Sequence, residues 1–161
     1  MRAAFVSTNQ ELLQRLHDEF DLVISDRDDL RAVCEDKFLN LEHDEGRIFE
    51  VFESRSVSTA VCLGYRRLFS GRILEESSCE FYNLHPSVLP AFKGLNVYER
   101  VLNRGVNVSG ATLHQMEEEV DEGEIIDQIT YHVREDMDAE DLKRYAAKFE
   151  ARLVIANLEK L

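Results

Sequence analysis

The chain has 161 residues, 44% hydrophobic and 32% charged, which is enough apolar content to fill one core and too much for a disordered chain. Lys and Arg number 19 against 32 Asp and Glu, so the formal net charge is −13. Such a surface repels phosphate backbones and anionic membranes, which argues against nucleic acid and membrane partners but leaves room for a local basic pocket holding a small anion. No uncharged apolar run approaches the ~18 residues of a membrane span. The Met1–Val6 stretch is too short for a secretory apolar region, so a cytosolic protein is expected. Cys34, Cys62 and Cys79 share no metal-type spacing and read as reduced thiols, with Cys62 in an apolar stretch. Nothing in the sequence suggests a metal. No repeat or Pro/Gly/Ser linker interrupts the chain, so residues 1–161 are read as a single domain.

Short apolar runs alternate with helical patterns from the start. Residues 3–6 read as a buried strand, followed by a capping box of Thr8 and Glu11 and a helix with Leu12, Leu13, Leu16 and Phe20 at helical spacing. Residues 21–25 form a second expected strand, 28–35 a short helix and 37–41 a third strand. Residues 45–54 place Ile48, Val51 and Phe52 on one side of a helix. Residues 57–63, rich in β-branched side chains and closed by Gly64, give the clearest strand. This alternation favours parallel βαβ crossovers.

A further strand over 80–84 is stopped by Pro86, and a helix over 96–103 ends before Gly105. Strands over 111–116 and 124–133 flank a polar loop, residues 117–123. The last helix is capped by Asp138 and repeats Leu142, Tyr145, Phe149, Leu153 and Ala156 at spacings of three and four, which reads as a packing face.

Asn83 and His85 lie two apart at a strand end and so share one face, with the chain turned by Pro86 immediately after. Ligands of open α/β sheets gather beyond the carboxyl ends of strands, where an amide and an imidazole could hold a developing oxyanion. On spacing alone, a structural histidine beside an ordinary Asn is the better reading. Asp121 sits among Glu117, Glu118, Glu119, Glu122 and Glu124, a negative density that favours a protonated histidine nearby. Nothing local says that Asp121 meets His85. His114, mid-strand, reads as a core or supporting histidine, while His17, His43 and His132 form no metal pattern and receive no role.

Asn83-Leu84-His85-Pro86-Ser87-Val88-Leu89-Pro90, with Phe92-Lys93-Gly94 after it, resembles the signature of the folate-dependent formyltransferases, in the glycinamide ribonucleotide transformylase branch. The resemblance continues through residues 110–114 and 120–128, and more loosely into the last helix. It implies a Rossmann-like formyltransferase fold, a mostly parallel α/β sheet flanked by helices, with a shortened N-terminal half. It also implies 10-formyltetrahydrofolate as donor and a small-molecule amine, most directly glycinamide ribonucleotide of purine biosynthesis, as acceptor.

By position, Asn83, His85 and Asp121 are similar to the family's catalytic trio. Arg67, Leu68 and Phe69 match the segment lining its folate pocket, and Glu118, Glu119 and Val120 match the stretch that closes over the pterin. The chain departs from the family where a glycine-rich loop normally cradles the acceptor's phosphate. Here that turn is Ser7-Thr8-Asn9-Gln10, and close backbone approach is harder without glycine. Lys93 and Glu124 stand where the branch commonly has proline. An amine of a nucleotide-linked amino sugar therefore remains an alternative acceptor, and a non-catalytic folate-binding homologue an alternative role.

Overall fold

The computed structural model describes all 161 residues. Its frame is a seven-stranded sheet in the order β3-β2-β1-β4-β5-β6-β7. The strands are β1 (Arg2–Phe5), β2 (Leu22–Ser25), β3 (Phe38–Asn40), β4 (Thr59–Cys62), β5 (Glu80–His85), β6 (Val108–Gln115) and β7 (Ile125–His132). Pairings from β3 through β5 are parallel, and β6 runs antiparallel to both neighbours. The helices are α1 (Gln10–Leu16), α2 (Arg31–Cys34), α3 (Glu45–Arg55), α4 (Gly71–Glu76), α5 (Val97–Arg104) and α6 (Ala139–Asn157). No helix is long and apolar enough to cross a membrane.

Two-residue alternation along each strand sorts the core into two layers. Ala4, Val23, Val61, Tyr82, Leu84 and Leu113 pack against α1 and α6 through Leu12, Leu16, Ala147 and Val154. Their neighbours Phe5, Ile24, Cys62 and Phe81 face α3 and α4 through Ile48, Phe52 and Ile73. Burial on both faces is what strands of a helix-covered parallel sheet require, and it explains their near-continuous apolar runs. All three cysteines are free and buried, and Cys62 lies in the second layer. A third, smaller cluster joins Val97 and Val101 of α5 to Tyr131, Leu142 and Ala146.

Several local expectations shift. The cap of α1 is Asn9, whose side chain accepts from the Leu12 amide at 3.1 Å. Thr8 stands one residue before the cap, and its hydroxyl donates to the Gly64 carbonyl at 2.9 Å. The helix expected over 28–35 resolves into two 3₁₀ turns around the single turn of α2. Helix α4 carried no recognisable pattern: it has six residues, begins at Gly71 and has no side-chain cap. Strand β6 begins three residues before the run at Ala111, crossing Gly110, where a Cβ would stand 2.0 Å from the Ile129 carbonyl oxygen. At α6 the expected cap holds, with Asp138 and Asp141 forming a reciprocal capping box.

Candidate active site

Strand β5 delivers two side chains to one face of the sheet at its carboxyl end. Tyr82 and Leu84 turn toward the α1/α6 layer, so Asn83 and His85 turn the other way. Antiparallel register sets Asn83 opposite His114 on β6, and the Asn83 amide nitrogen lies 3.2 Å from His114 Nε2. The other ring nitrogen of His114 donates to the Gln115 carbonyl at 2.8 Å, which leaves Nε2 as an acceptor for the amide. His114 is only 2% exposed and acts as a support for Asn83. One of the two amide protons of Asn83 is engaged there, leaving the second for a ligand.

His85 is 4% exposed and has an acceptor at each ring nitrogen. Its Nε2 is 3.0 Å from the Phe92 carbonyl, and its Nδ1 is 3.3 Å from Oδ1 of Asp121. Both contacts are to oxygens that can only accept. The 35 residues between His85 and Asp121 are bridged by the fold: the antiparallel β5–β6 pairing returns the chain, and the loop after β6 folds back over β5.

That loop is fastened at three points. Asp121 Oδ2 accepts from the Gly94 amide at 2.7 Å, and Lys93 pairs with Glu122. Gly123 lies so close to β6 that a Cβ would stand 1.9 Å from the Gln115 carbonyl oxygen. Burial pushes the Asp121 carboxyl up, but the adjacent His114 and His85 rings and the hydrogen bond from the Gly94 amide outweigh it and hold the group well below the usual carboxylate range. Asp121, Phe92 and Asn96 all take left-handed backbone conformations, with φ of 58°, 56° and 56°. Such non-glycine strain costs ~1–3 kcal/mol per residue and clusters where a site demands a fixed geometry.

The segment expected to line the folate divides. Leu68 is 69% exposed, whereas Phe69 is buried against Phe5 and Phe81 and offers a ligand only its backbone. His43, assigned no role from sequence, holds this segment: its ring nitrogens contact the Tyr65 hydroxyl at 2.9 Å and the Leu68 carbonyl at 2.8 Å. Glu118, Glu119 and Val120 are exposed in the loop, with the Glu118 carboxylate beside Gly71 at the start of α4.

Arg67 turns to a different feature, pairing its Nε with Asp26 at 3.2 Å. It lines a cavity of about 560 Å3 beyond the ends of β1, β2 and β4, with Arg27, Arg66, Lys143 and Ser7 among the other lining residues. In the sheet order β1 and β4 are the strands from which the connections diverge, the place where open α/β sheets form their ligand crevice. Glu150 of α6, 1% exposed, accepts from the Tyr98 hydroxyl at 2.6 Å and from Asn9 at 3.2 Å. Burial dominates and pushes its carboxyl up to about 7, against those two hydrogen bonds and the charges of Lys143 and His85. Sequence reading passed over Glu150 because it sits within an apolar helix repeat, although Lys143 and Glu150, seven apart, share one helix face.

Residues 3–158 match the family model described as formyl transferase. A phosphoribosylglycinamide formyltransferase of Haemophilus influenzae is 37% identical over 87 residues, covering 54% of this chain and 41% of its own. A formyltetrahydrofolate deformylase of Bacillus subtilis is 33% identical over 151 residues, covering 94% of this chain and 46% of its own. The crystal structure of glycinamide ribonucleotide transformylase 1 from Symbiobacterium toebii superposes with a TM-score of 0.82 at 29% identity, over 94% of this chain and 82% of that one. The chain spans between 8% and 46% of the length of the curated relatives it matches.

Proposed function

The chain belongs to the formyl transferase family, and on that premise we propose that it moves a formyl group from 10-formyltetrahydrofolate to the primary amine of glycinamide ribonucleotide. The observation that carries this reading is the convergence of Asn83, His85 and Asp121 at the end of β5, with Asp121 Oδ1 3.3 Å from His85 Nδ1.

The acceptor amine attacks the formyl carbon, forming a C–N bond while the carbonyl oxygen takes the negative charge. The free N–H of Asn83 donates to that oxygen, and the imidazolium of His85, balanced by Asp121, stabilises it electrostatically. Its Nε2 reaches the oxygen by leaving the Phe92 carbonyl, a tightening of the kind active sites undergo on binding. Collapse of the intermediate breaks the bond from the formyl carbon to N10 of the folate. The proton lost by the amine passes through water to N10, giving formylated acceptor and tetrahydrofolate.

Hydrolysis is the second reading, with water replacing the amine and formate leaving. The match to the Bacillus subtilis deformylase along 94% of this chain favours it. One assay separates the two: tetrahydrofolate formation from 10-formyltetrahydrofolate, with and without glycinamide ribonucleotide. Formation that depends on the amine supports transfer. Formate release at the same rate without amine supports hydrolysis, and an unchanged folate rejects both.

A further inference from the structure

Residues 92–96 lead into helix α5, and their backbone holds the site at two points. The Phe92 carbonyl lies 3.0 Å from His85 Nε2, and the Gly94 amide donates to Asp121 Oδ2 at 2.7 Å. This backbone is not self-supporting. Phe92, Gly94 and Asn96 have φ of 56°, 81° and 56°, and a glycine tolerates either orientation of the peptide ahead of it. Arg100, exposed in the first turn of α5, grips the segment from outside. Its Nη1 donates to the Lys93 carbonyl at 2.6 Å and, less closely, to the Leu95 carbonyl at 3.3 Å. Its guanidinium carbon stands 5.8 Å from the centre of the Phe92 ring, within cation–π range. The helix gains nothing from a cation there, because its N-terminal dipole disfavours positive charge. The carbonyls that Arg100 reaches account for its placement.

The Lys93 carbonyl and the Gly94 amide belong to one peptide plane, and in a trans peptide the two groups point in opposite directions. Arg100 therefore sits at one end of that plane and Asp121 at the other. We propose that Arg100 is a positioning residue for formyl transfer: it clamps the Lys93–Gly94 peptide so that the N–H stays on Asp121, and Asp121 stays on His85. The guanidinium also polarises the peptide it grips, which makes the Gly94 N–H a stronger donor to the carboxylate. A flip of this peptide would turn the Lys93 carbonyl oxygen toward the carboxylate, which repels it. Asp121 Oδ1 would then lose its place 3.3 Å from His85 Nδ1. The side chain of Lys93 takes no part, being paired with Glu122. The inference rests on the transfer reading and adds to it a residue of α5 that acts only through the backbone.

Amide hydrogen exchange, read by NMR without substrate, tests the clamp on its own. The Gly94 amide exchanges about 10- to 100-fold faster in Arg100→Met than in the parent, the loss expected for a charge-assisted hydrogen bond. The amide of Val101, a buried residue of α5, exchanges as in the parent, whereas a merely structural Arg100 would loosen both. In turnover, kcat of the variant falls about 10-fold or more. The KM values for folate and acceptor stay within about twofold of the parent's, as for an interaction that matters only in the transition state. Unchanged Gly94 exchange, equal acceleration at Gly94 and Val101, or a kcat within about twofold of the parent's overturns the proposal. A parent protein that transfers no formyl group to the amine removes the transfer reading, and exchange at Gly94 then decides the clamp by itself.

Discussion

Replacing Glu150 by Gln keeps its shape, with one oxygen left to accept from Asn9 and the amide nitrogen donating to the Tyr98 hydroxyl oxygen, while removing a charge that the fold holds 1% exposed. Its carboxyl rises from 4.5 in the unfolded reference to about 7 on folding, because burial penalises the ionised form more than its two hydrogen bonds favour it. A group raised in this way favours the native state at low pH, and that contribution is lost as pH rises through about 7. Integrating the linkage relation, the native state gains roughly 2–3 kcal/mol more from this group at pH 5 than at pH 8.5. The Gln side chain does not titrate, so the stability difference between Glu150→Gln and the parent changes by that amount over the same interval, in favour of the variant at the alkaline end. For a chain of this size the change corresponds to ~5–10 °C in relative Tm. Urea unfolding of both proteins at pH 5, 7 and 8.5 measures it, and other titrating groups cancel in the difference. Stability profiles that stay parallel across that range would show that Glu150 remains ionised in the native state, and the reasoning about its burial would be wrong.

Asp121→Asn removes the charge that balances His85 and leaves the Gly94 amide an oxygen to bond. The Asp121 carboxyl is held low in the fold, so its stabilising contribution is present at neutral pH and lost on acidification. Acid unfolding of the Asn variant therefore shows a weaker pH dependence than that of the parent, and an unchanged dependence counts against the contact. Gly123→Ala forces a Cβ to within 1.9 Å of the Gln115 carbonyl oxygen, so the loop carrying Asp121 must move. The expected outcome is a stability loss of ~1–3 kcal/mol and a fall in turnover, read by melting and steady-state rates. Lys93→Ala breaks a partly exposed ion pair with Glu122 that is worth under ~1 kcal/mol, so turnover should change less than about fivefold. A collapse of activity in Lys93→Ala would mean that this pair, rather than the Gly94 hydrogen bond, fixes the loop. In His43→Leu the Tyr65 hydroxyl and the Leu68 carbonyl lose their partner. The predicted effect is a higher KM for the folate at unchanged kcat, and an unchanged KM would separate this segment from the folate site.

What the sequence disclosed about this site depended on the range of each contact. Asn83 and His85 belong to one strand, and two-residue periodicity alone puts them on one face. Asp121 reaches them only through the β5–β6 register, the close approach at Gly123 and the Gly94 amide, none of which has a local signature. The family resemblance named Asp121, while the residues around it left the meeting with His85 open. The basic cavity is harder still to read, because its cations come from the ends of β2 and β4 and from α6, positions that a linear reading keeps apart. Composition gave the opposite average, and the concentration of charge emerges only when those ends converge. Phe69 shows the reverse limit: a match by position placed it at the folate, yet its ring completes the aromatic layer under α3 and α4. At Thr8 and Asn9 the capping pattern was real but one residue out of place: Asn9 caps the helix, and the Thr8 hydroxyl that sequence alone assigned to it donates to Gly64.

In the proposed transfer, Asn83 and His85 stabilise the oxygen of a formyl group under attack. Single-turnover transfer from 10-formyltetrahydrofolate, measured with saturating acceptor in Asn83→Ala and His85→Ala, tests it most directly. Each variant is expected to fold and bind folate as the parent does while its transfer rate falls ~10²–10³-fold. Transfer within about fivefold of the parent in either variant, far short of that loss, would contradict the claim.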